Sequence, residues 1–125
     1  MKVKKAVIPA AGFGTRMLPI TSMVPKELLP VCGRPVIEHV VKEAAEAGIE
    51  EVILVISKGK EAVADYFRVN EKLKARLIKD NKTDALEELE RIWSLVKITV
   101  VYQNEQNGLG HAVLAAKATV GNEPF

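Results

Sequence analysis

At 125 residues and 13.7 kDa, with 48% hydrophobic residues, the chain has the size and apolar content of one domain around one core. A formal net charge of +2 with acids and bases interspersed, and only 5% aromatics, provides neither a basic face nor stacking platforms, which argues against a nucleic-acid binder. Its apolar runs are too short to span a bilayer, no signal-peptide pattern follows the basic start, and Cys32 is the only cysteine, so the expectation is a cytoplasmic protein without an intrachain disulfide.

Residues 4–9 predict a buried strand, because Ala6, Val7 and Ile8 sit between a basic start and a glycine-rich turn. A helix follows Gly33-Arg34-Pro35 and closes at Gly48 in a left-handed cap. Between them Val36, Ile37, Val40, Val41, Ala44 and Ala45 recur at helical spacing as one apolar stripe. Residues 52–56, Val-Ile-Leu-Val-Ile, read as a parallel strand covered on both faces. Residues 61–67 predict a short helix. Residues 70–95 are charged and helical in character, with a break near Asn81-Lys82-Thr83 and a Leu86-Leu89-Ile92-Trp93-Val96 stripe that places Trp93 in the core. Residues 97–103 alternate as a third strand, and residues 109–120 predict a last helix between Gly108 and Gly121. The order β-α-β-α-α-β-α predicts an α/β fold: a three-layer, parallel sheet with right-handed crossovers.

The chemistry concentrates after the first strand, in Ile8-Pro9-Ala10-Ala11-Gly12-Phe13-Gly14-Thr15-Arg16-Met17-Leu18-Pro19 and then Pro25-Lys26-Glu27-Leu28-Leu29-Pro30. A turn at the carboxyl end of a parallel strand lies where open α/β sheets bind ligands. Gly12 and Gly14 let the backbone turn tightly and bring N–H groups to an anion. Thr15 adds a hydroxyl, Arg16 a guanidinium fork suited to phosphate oxygens, and Lys26 a second cation ten residues later. The P-loop pattern is absent. The dinucleotide fingerprint fails too, since Met17 stands where its third glycine belongs and Ser57-Lys58 where an acid would close the second strand. These residues point to a nucleoside triphosphate. A bare Gly-x-Gly would equally suit an ordinary turn.

With both segments present, the chain resembles the nucleotidyltransferases that make nucleoside-diphosphate sugars, in particular the bacterial type of UTP–glucose-1-phosphate uridylyltransferase. Pro9 to Pro19 and Pro25 to Pro30 match that family's first block, and Gln103-Asn104-Glu105-Gln106-Asn107-Gly108-Leu109-Gly110-His111-Ala112 its second. Relatives that activate thymidine or adenine nucleotides usually carry Leu-Ala-Gly-Gly at the position of Pro9-Ala10-Ala11-Gly12. The resemblance covers residues 4–125. It implies the Rossmann-like fold of nucleotide-diphospho-sugar transferases and, as activity, formation of UDP-glucose and pyrophosphate from UTP and glucose 1-phosphate.

The resemblance also assigns roles. Arg16 and Lys26 would hold the triphosphate as the catalytic cations. The backbone at Ala11 and Gly12, with Gln103 and Gly108, would read the base, and Gly14 and Thr15 belong to the same nucleotide-binding turn. The family's Mg²⁺ is expected, with ligands outside residues 1–125; the aspartate-bearing strand and the sugar-binding residues lie later in the family. The expectation is thus an amino-terminal part of a nucleotidyltransferase domain, inactive alone. In the family's sheet the first three strands run 3-2-1 and a fourth pairs with the first. Residues 4–9 would then form an exposed edge that invites self-association. A binding module without catalysis, a structural domain that keeps only the fold, and another NTP–sugar-1-phosphate nucleotidyltransferase are the alternatives.

Three further residues carry expectations. His111 is read as a packing or hydrogen-bonding residue rather than a catalytic base, and Cys32 as a small buried side chain. Glu27 is read as pairing with Arg16 or Lys26, or as orienting the loop.

Overall fold

The computed structural model describes residues 2–103 and 108–125. In chain order it contains β1 (Lys5–Pro9), 3₁₀ turns at Thr15–Met17, Ile20–Ser22 and Lys26–Leu28, β2 (Pro30–Val31), β3 (Arg34–Pro35), α1 (Val36–Glu46) and β4 (Glu51–Ile56). There follow α2 (Ala62–Asp65), α3 (Glu71–Lys79), α4 (Thr83–Trp93), β5 (Lys97–Tyr102), α5 (Leu109–Ala115) and α6 (Lys117–Val120). β1, β4 and β5 form one parallel sheet in that order, with Val7 opposite Ile53 and Ile53 opposite Thr99.

β4 is apolar throughout because it has two covered faces. Alternation sends Val52, Leu54 and Ile56 toward Ile37 and Val41 of α1, Val63 and Ala64 of α2, Phe67, and Ile92 of α4. Ile53 and Val55 pack on the opposite face against Ala112 of α5, Ala116 between α5 and α6, and Val120 of α6. All five side chains from Val52 to Ile56 are fully buried, and each contributes roughly 1.5–3 kcal/mol on leaving water. The result is helix, sheet and helix in three layers, with β1 on one edge of the sheet.

The helix limits follow local chemistry. Pro35 stands at the N-cap of α1, and Gly48, at φ 96°, ends it in a Schellman motif: Ile49 N–H donates to Ala44 O and Gly48 N–H to Ala45 O, both at 3.0 Å. The Asn70 side chain accepts from Leu73 N at 3.0 Å and starts α3; Asn81, at φ 54°, makes the break before α4. Glu38 of α1 is buried but accepts from Arg34 and from the Tyr66 hydroxyl. Burial first, and then the neighbouring Glu38 carboxylate, push Tyr66 up to about 12.

The structure corrects several expectations. Val36 and Val40 are 36% and 41% exposed, so the α1 stripe narrows to Ile37 and Val41 flanked by Ala44 and Ala45. Ile92 rather than Trp93 reaches the core; Trp93, one residue or 100° further round α4, is half-buried. The last predicted helix divides at Ala116 into α5 and α6. Cys32 is exposed rather than buried. It and Gly33 are the two central residues of the β2–β3 hairpin, with φ of 54° and 77°, the paired left-handed conformation of a two-residue hairpin loop. Among the described residues no helix is long and apolar enough to cross a membrane.

Candidate functional site

Three segments meet at the carboxyl end of the sheet. The first is the chain leaving β1. Ala10 N–H donates to Val55 O at 2.7 Å and continues the ladder, leaving Ala10 and Ala11 buried before Gly12 departs from the sheet. Gly14 turns left-handed at φ 65°, and the Thr21 hydroxyl donates to its carbonyl at 2.6 Å, folding the 3₁₀ turns back over the loop.

The second segment is the turn that follows Pro25. Leu28 N–H donates to Pro25 O at 2.9 Å, and the turn sets Lys26 against the glycines: a Cβ placed on Gly12 would stand 3.5 Å from Lys26 Nζ. Lys26 has no ion-pair partner among the described residues.

The third segment follows β5. Gln103 N–H donates to Ile56 O at 2.8 Å, so the side chain emerges beside the central strand and is buried. Its amide nitrogen donates to His111 Nδ1 at 2.8 Å, which fixes the carboxamide's rotation and calls for the Nε2–H tautomer of the ring. His111 therefore has the hydrogen-bonding place expected of it. Gly108, at φ 89°, precedes α5. Residues 104–107 of the second sequence block lie outside the described residues.

Ala11, Gly12, Lys26, Gln103 and Gly108 thus line one cleft of about 130 Å³. A second hollow of about 180 Å³ adjoins it, sharing Gly12 and Lys26 and bounded by Phe13, Thr21, Ser57 and Lys60. Gly14, Thr15 and Arg16 line neither; Thr15 and Arg16 stand exposed on the first 3₁₀ turn. The larger cavity of about 420 Å³ lies between α1 and α4, away from the strand ends, and Arg34 in its wall is already paired with Glu38 and Glu88.

Among the described residues Glu27 does not make the expected pair with Arg16 or Lys26; its contact suits the other expectation, that it orients the loop. Its carboxylate forms an ion pair with Lys60 Nζ at 2.8 Å, both side chains being buried. Nothing in the local sequence around Glu27 indicates this partner. The available signal was the place of Lys60 just past the end of the central strand, beside the ligand-binding edge of the sheet. Among the described residues no three His, Cys, Asp or Glu side chains gather as a metal site, and Glu27, the carboxylate of the cleft wall, is engaged by Lys60.

Residues 5–125 match the family model described as nucleotidyl transferase. The chain is 48% identical over 124 residues to a UTP–glucose-1-phosphate uridylyltransferase 2 of Staphylococcus saprophyticus, an alignment covering 99% of this chain and 43% of that protein. With a UTP–glucose-1-phosphate uridylyltransferase of Bacillus subtilis the identity is 46% over 124 residues, covering 99% and 42%. The solved structure of a UTP-bound UGPase from Acinetobacter baumannii superposes with a TM-score of 0.94 at 46% identity, over 99% of this chain and 44% of that one. The chain therefore spans less than half the length of these relatives. On the family match across residues 5–125, with the cleft in place at the strand ends, the chain belongs to the nucleotidyl transferase family.

Proposed function

We propose that this chain grips UTP, as the nucleotide-binding part of a uridylyltransferase that forms UDP-glucose and pyrophosphate from UTP and glucose 1-phosphate. The observation that carries the reading is the convergence of Ala11, Gly12, Lys26, Gln103 and Gly108 on one cleft at the sheet's carboxyl end. In this reading uracil enters that cleft. Gln103 offers a paired donor and acceptor to the base edge, helped by the backbone at Ala11, Gly12 and Gly108. The phosphates extend over Gly12 and Gly14 toward Lys26, and Arg16 and Thr15 close on them from the exposed turn.

The transfer is an in-line displacement. A phosphate oxygen of glucose 1-phosphate attacks the α-phosphorus of UTP, the new P–O bond forms as the bond to the β-phosphate oxygen breaks, and pyrophosphate leaves. Neither a general base nor a covalent enzyme intermediate is required, because the nucleophile is already anionic; this chain contributes position and positive charge through Arg16 and Lys26. The Mg²⁺ that the family resemblance implies would neutralise phosphate charge when bound. The described residues do not fit it, since Glu27 is engaged by Lys60, so its carboxylates would come from elsewhere in a longer protein.

Calorimetric titration with UTP, UDP-glucose and dTTP tests the reading. Saturable UTP binding stronger than that of dTTP is expected, and Arg16→Ala should weaken it by about tenfold or more. No heat with any nucleotide would sink the nucleotide reading and leave a structural domain. Binding without pyrophosphate release from UTP, glucose 1-phosphate and Mg²⁺ is the expected behaviour of this chain by itself and defines a binding module. A cytoplasmic setting suits the single, unpaired Cys32.

We further propose that the chain self-associates through β1, which lies at the sheet edge with unpaired backbone groups on its outer side. Sedimentation velocity at rising concentration should reveal dimers or larger species; a monomer throughout would refute the proposal.

A further inference from the structure

The most heavily bonded side chain near the cleft is one to which the proposed function gives no task. Lys60 is 8% exposed, yet its ammonium donates to two carbonyls, that of Ala10 and that of Gly12 at 2.8 Å, and forms an ion pair with Glu27 Oε1 at 2.8 Å. Two of the ammonium's three N–H donors are taken by these carbonyls, and the carboxylate stands beside them as counter-charge. That counter-charge lets a lysine exist at that depth. The turn that delivers it is itself held: Gly59 N–H donates to both carboxylate oxygens of Glu61 at 2.8 and 3.0 Å, and Lys60 N–H donates to Ser57 O at 3.1 Å.

The two carbonyls are the informative part. In a planar trans peptide the C=O of one residue and the N–H of the next point in opposite directions. With the Ala10 and Gly12 carbonyls drawn to Lys60, the N–H groups of Ala11 and Phe13 must face away from it. Neither amide finds an acceptor among the described residues. Lys60 therefore holds the turn in the sense that leaves these donors free, and through Glu27 it ties the same turn to the segment bearing Lys26.

We infer that Lys60 is a positioning residue: its buried ammonium, clasping the carbonyls of Ala10 and Gly12 and the carboxylate of Glu27, aims the amides of Ala11 and Phe13 at the nucleotide and fixes Lys26 beside them. It acts on the nucleotide only through those groups. The inference rests on the proposed UTP site for its consequence, whereas its geometry stands independently.

The test uses the whole chain. Lys60→Met keeps the length and removes the donors; it should weaken UTP binding by about tenfold or more. Amide resonances of Ala11, Phe13 and Gly14 should shift while those of Val52 to Ile56 stay in place. Restoring the ammonium should restore binding: Lys60→Cys in a Cys32→Ser background, aminoethylated in denaturant and refolded, should recover affinity to within about threefold, and the uncharged ethylated protein should not. Unaltered UTP affinity in Lys60→Met, or equal rescue by the ethyl group, overturns the inference. If the unsubstituted chain binds no UTP, the functional proposal fails, and the amide shifts decide the positioning role alone. If Lys60→Met does not fold, the unsubstituted protein decides it: scalar couplings across hydrogen bonds from Lys60 Nζ to the carbonyl carbons of Ala10 and Gly12 are expected, and their absence would refute the clasp.

Discussion

Gly14→Ala is expected to lower UTP affinity at least about tenfold and to destabilise the chain by about 1–3 kcal/mol. Two effects combine. Gly14 sits at φ 65°, a left-handed conformation that costs an L-residue roughly 1–2 kcal/mol. A new Cβ would also stand 3.0 Å from Thr21 Cγ2 and 3.3 Å from Lys26 Cβ. Thr21 cannot easily yield, because its hydroxyl is tethered to the Gly14 carbonyl at 2.6 Å. The displacement therefore falls on the turn carrying Lys26, and the cation shifts from its place over Gly12. Gly33→Ala is the control: Gly33 is also left-handed, at φ 77°, but nothing lies within 4 Å of its added Cβ. It should show the strain without the loss of UTP. Titration calorimetry and thermal unfolding on both variants check this, and wild-type affinity in Gly14→Ala would remove the loop from the site.

Leu54→Ala is expected to cost about 2–5 kcal/mol, a large share of the 5–15 kcal/mol typical of a domain. Leu54 is fully buried at the centre of the middle strand, in register with Ile8 and Val100 and within the core shared with α1 and α2. Close packing there leaves little room for collapse into the vacated space. Val36→Ala, on the exposed flank of α1, should stay within about 0.5 kcal/mol. Urea unfolding followed by far-ultraviolet dichroism compares the two. A Leu54→Ala loss below about 1 kcal/mol would mean that α1 and α2 do not cover this face of the strand.

The regular elements were legible because each has a periodic cause. The β-branched run of β4 predicted a doubly covered strand, and the α1 stripe, with Pro35 before it and Gly48 after it, predicted both helix and limits. The segment between Gly14 and Pro35 was less legible. Its 3₁₀ turns have no 3.6-residue repeat, and the hairpin turns on Cys32-Gly33, a pair that lacks the asparagine or aspartate which usually announces such a loop. Trp93 was misplaced because Ile92 and Trp93 both fit the stripe, and only packing selects the residue that faces the sheet.

The same division runs through the site. Gly12, Gly14, Arg16, Lys26, Gln103 and Gly108 could be named from two local blocks, because turn chemistry and phosphate chemistry are written in consecutive residues. That five site residues share a cleft follows from the parallel order β1–β4–β5, which brings the ends of β1 and β5 to the two sides of β4. The Glu27–Lys60 pair and the hold of Lys60 on carbonyls 50 and 48 residues away belong to the tertiary structure alone. By itself the sequence determined the three strands of the sheet, the helices with a clear periodic stripe and which residues carry charge, since those depend on neighbours along the chain. Only the folded arrangement decided which lysine is buried and which is free. Burial and pairing are set by groups distant in sequence, and near Lys26 and Lys60 the local pattern of charge is alike.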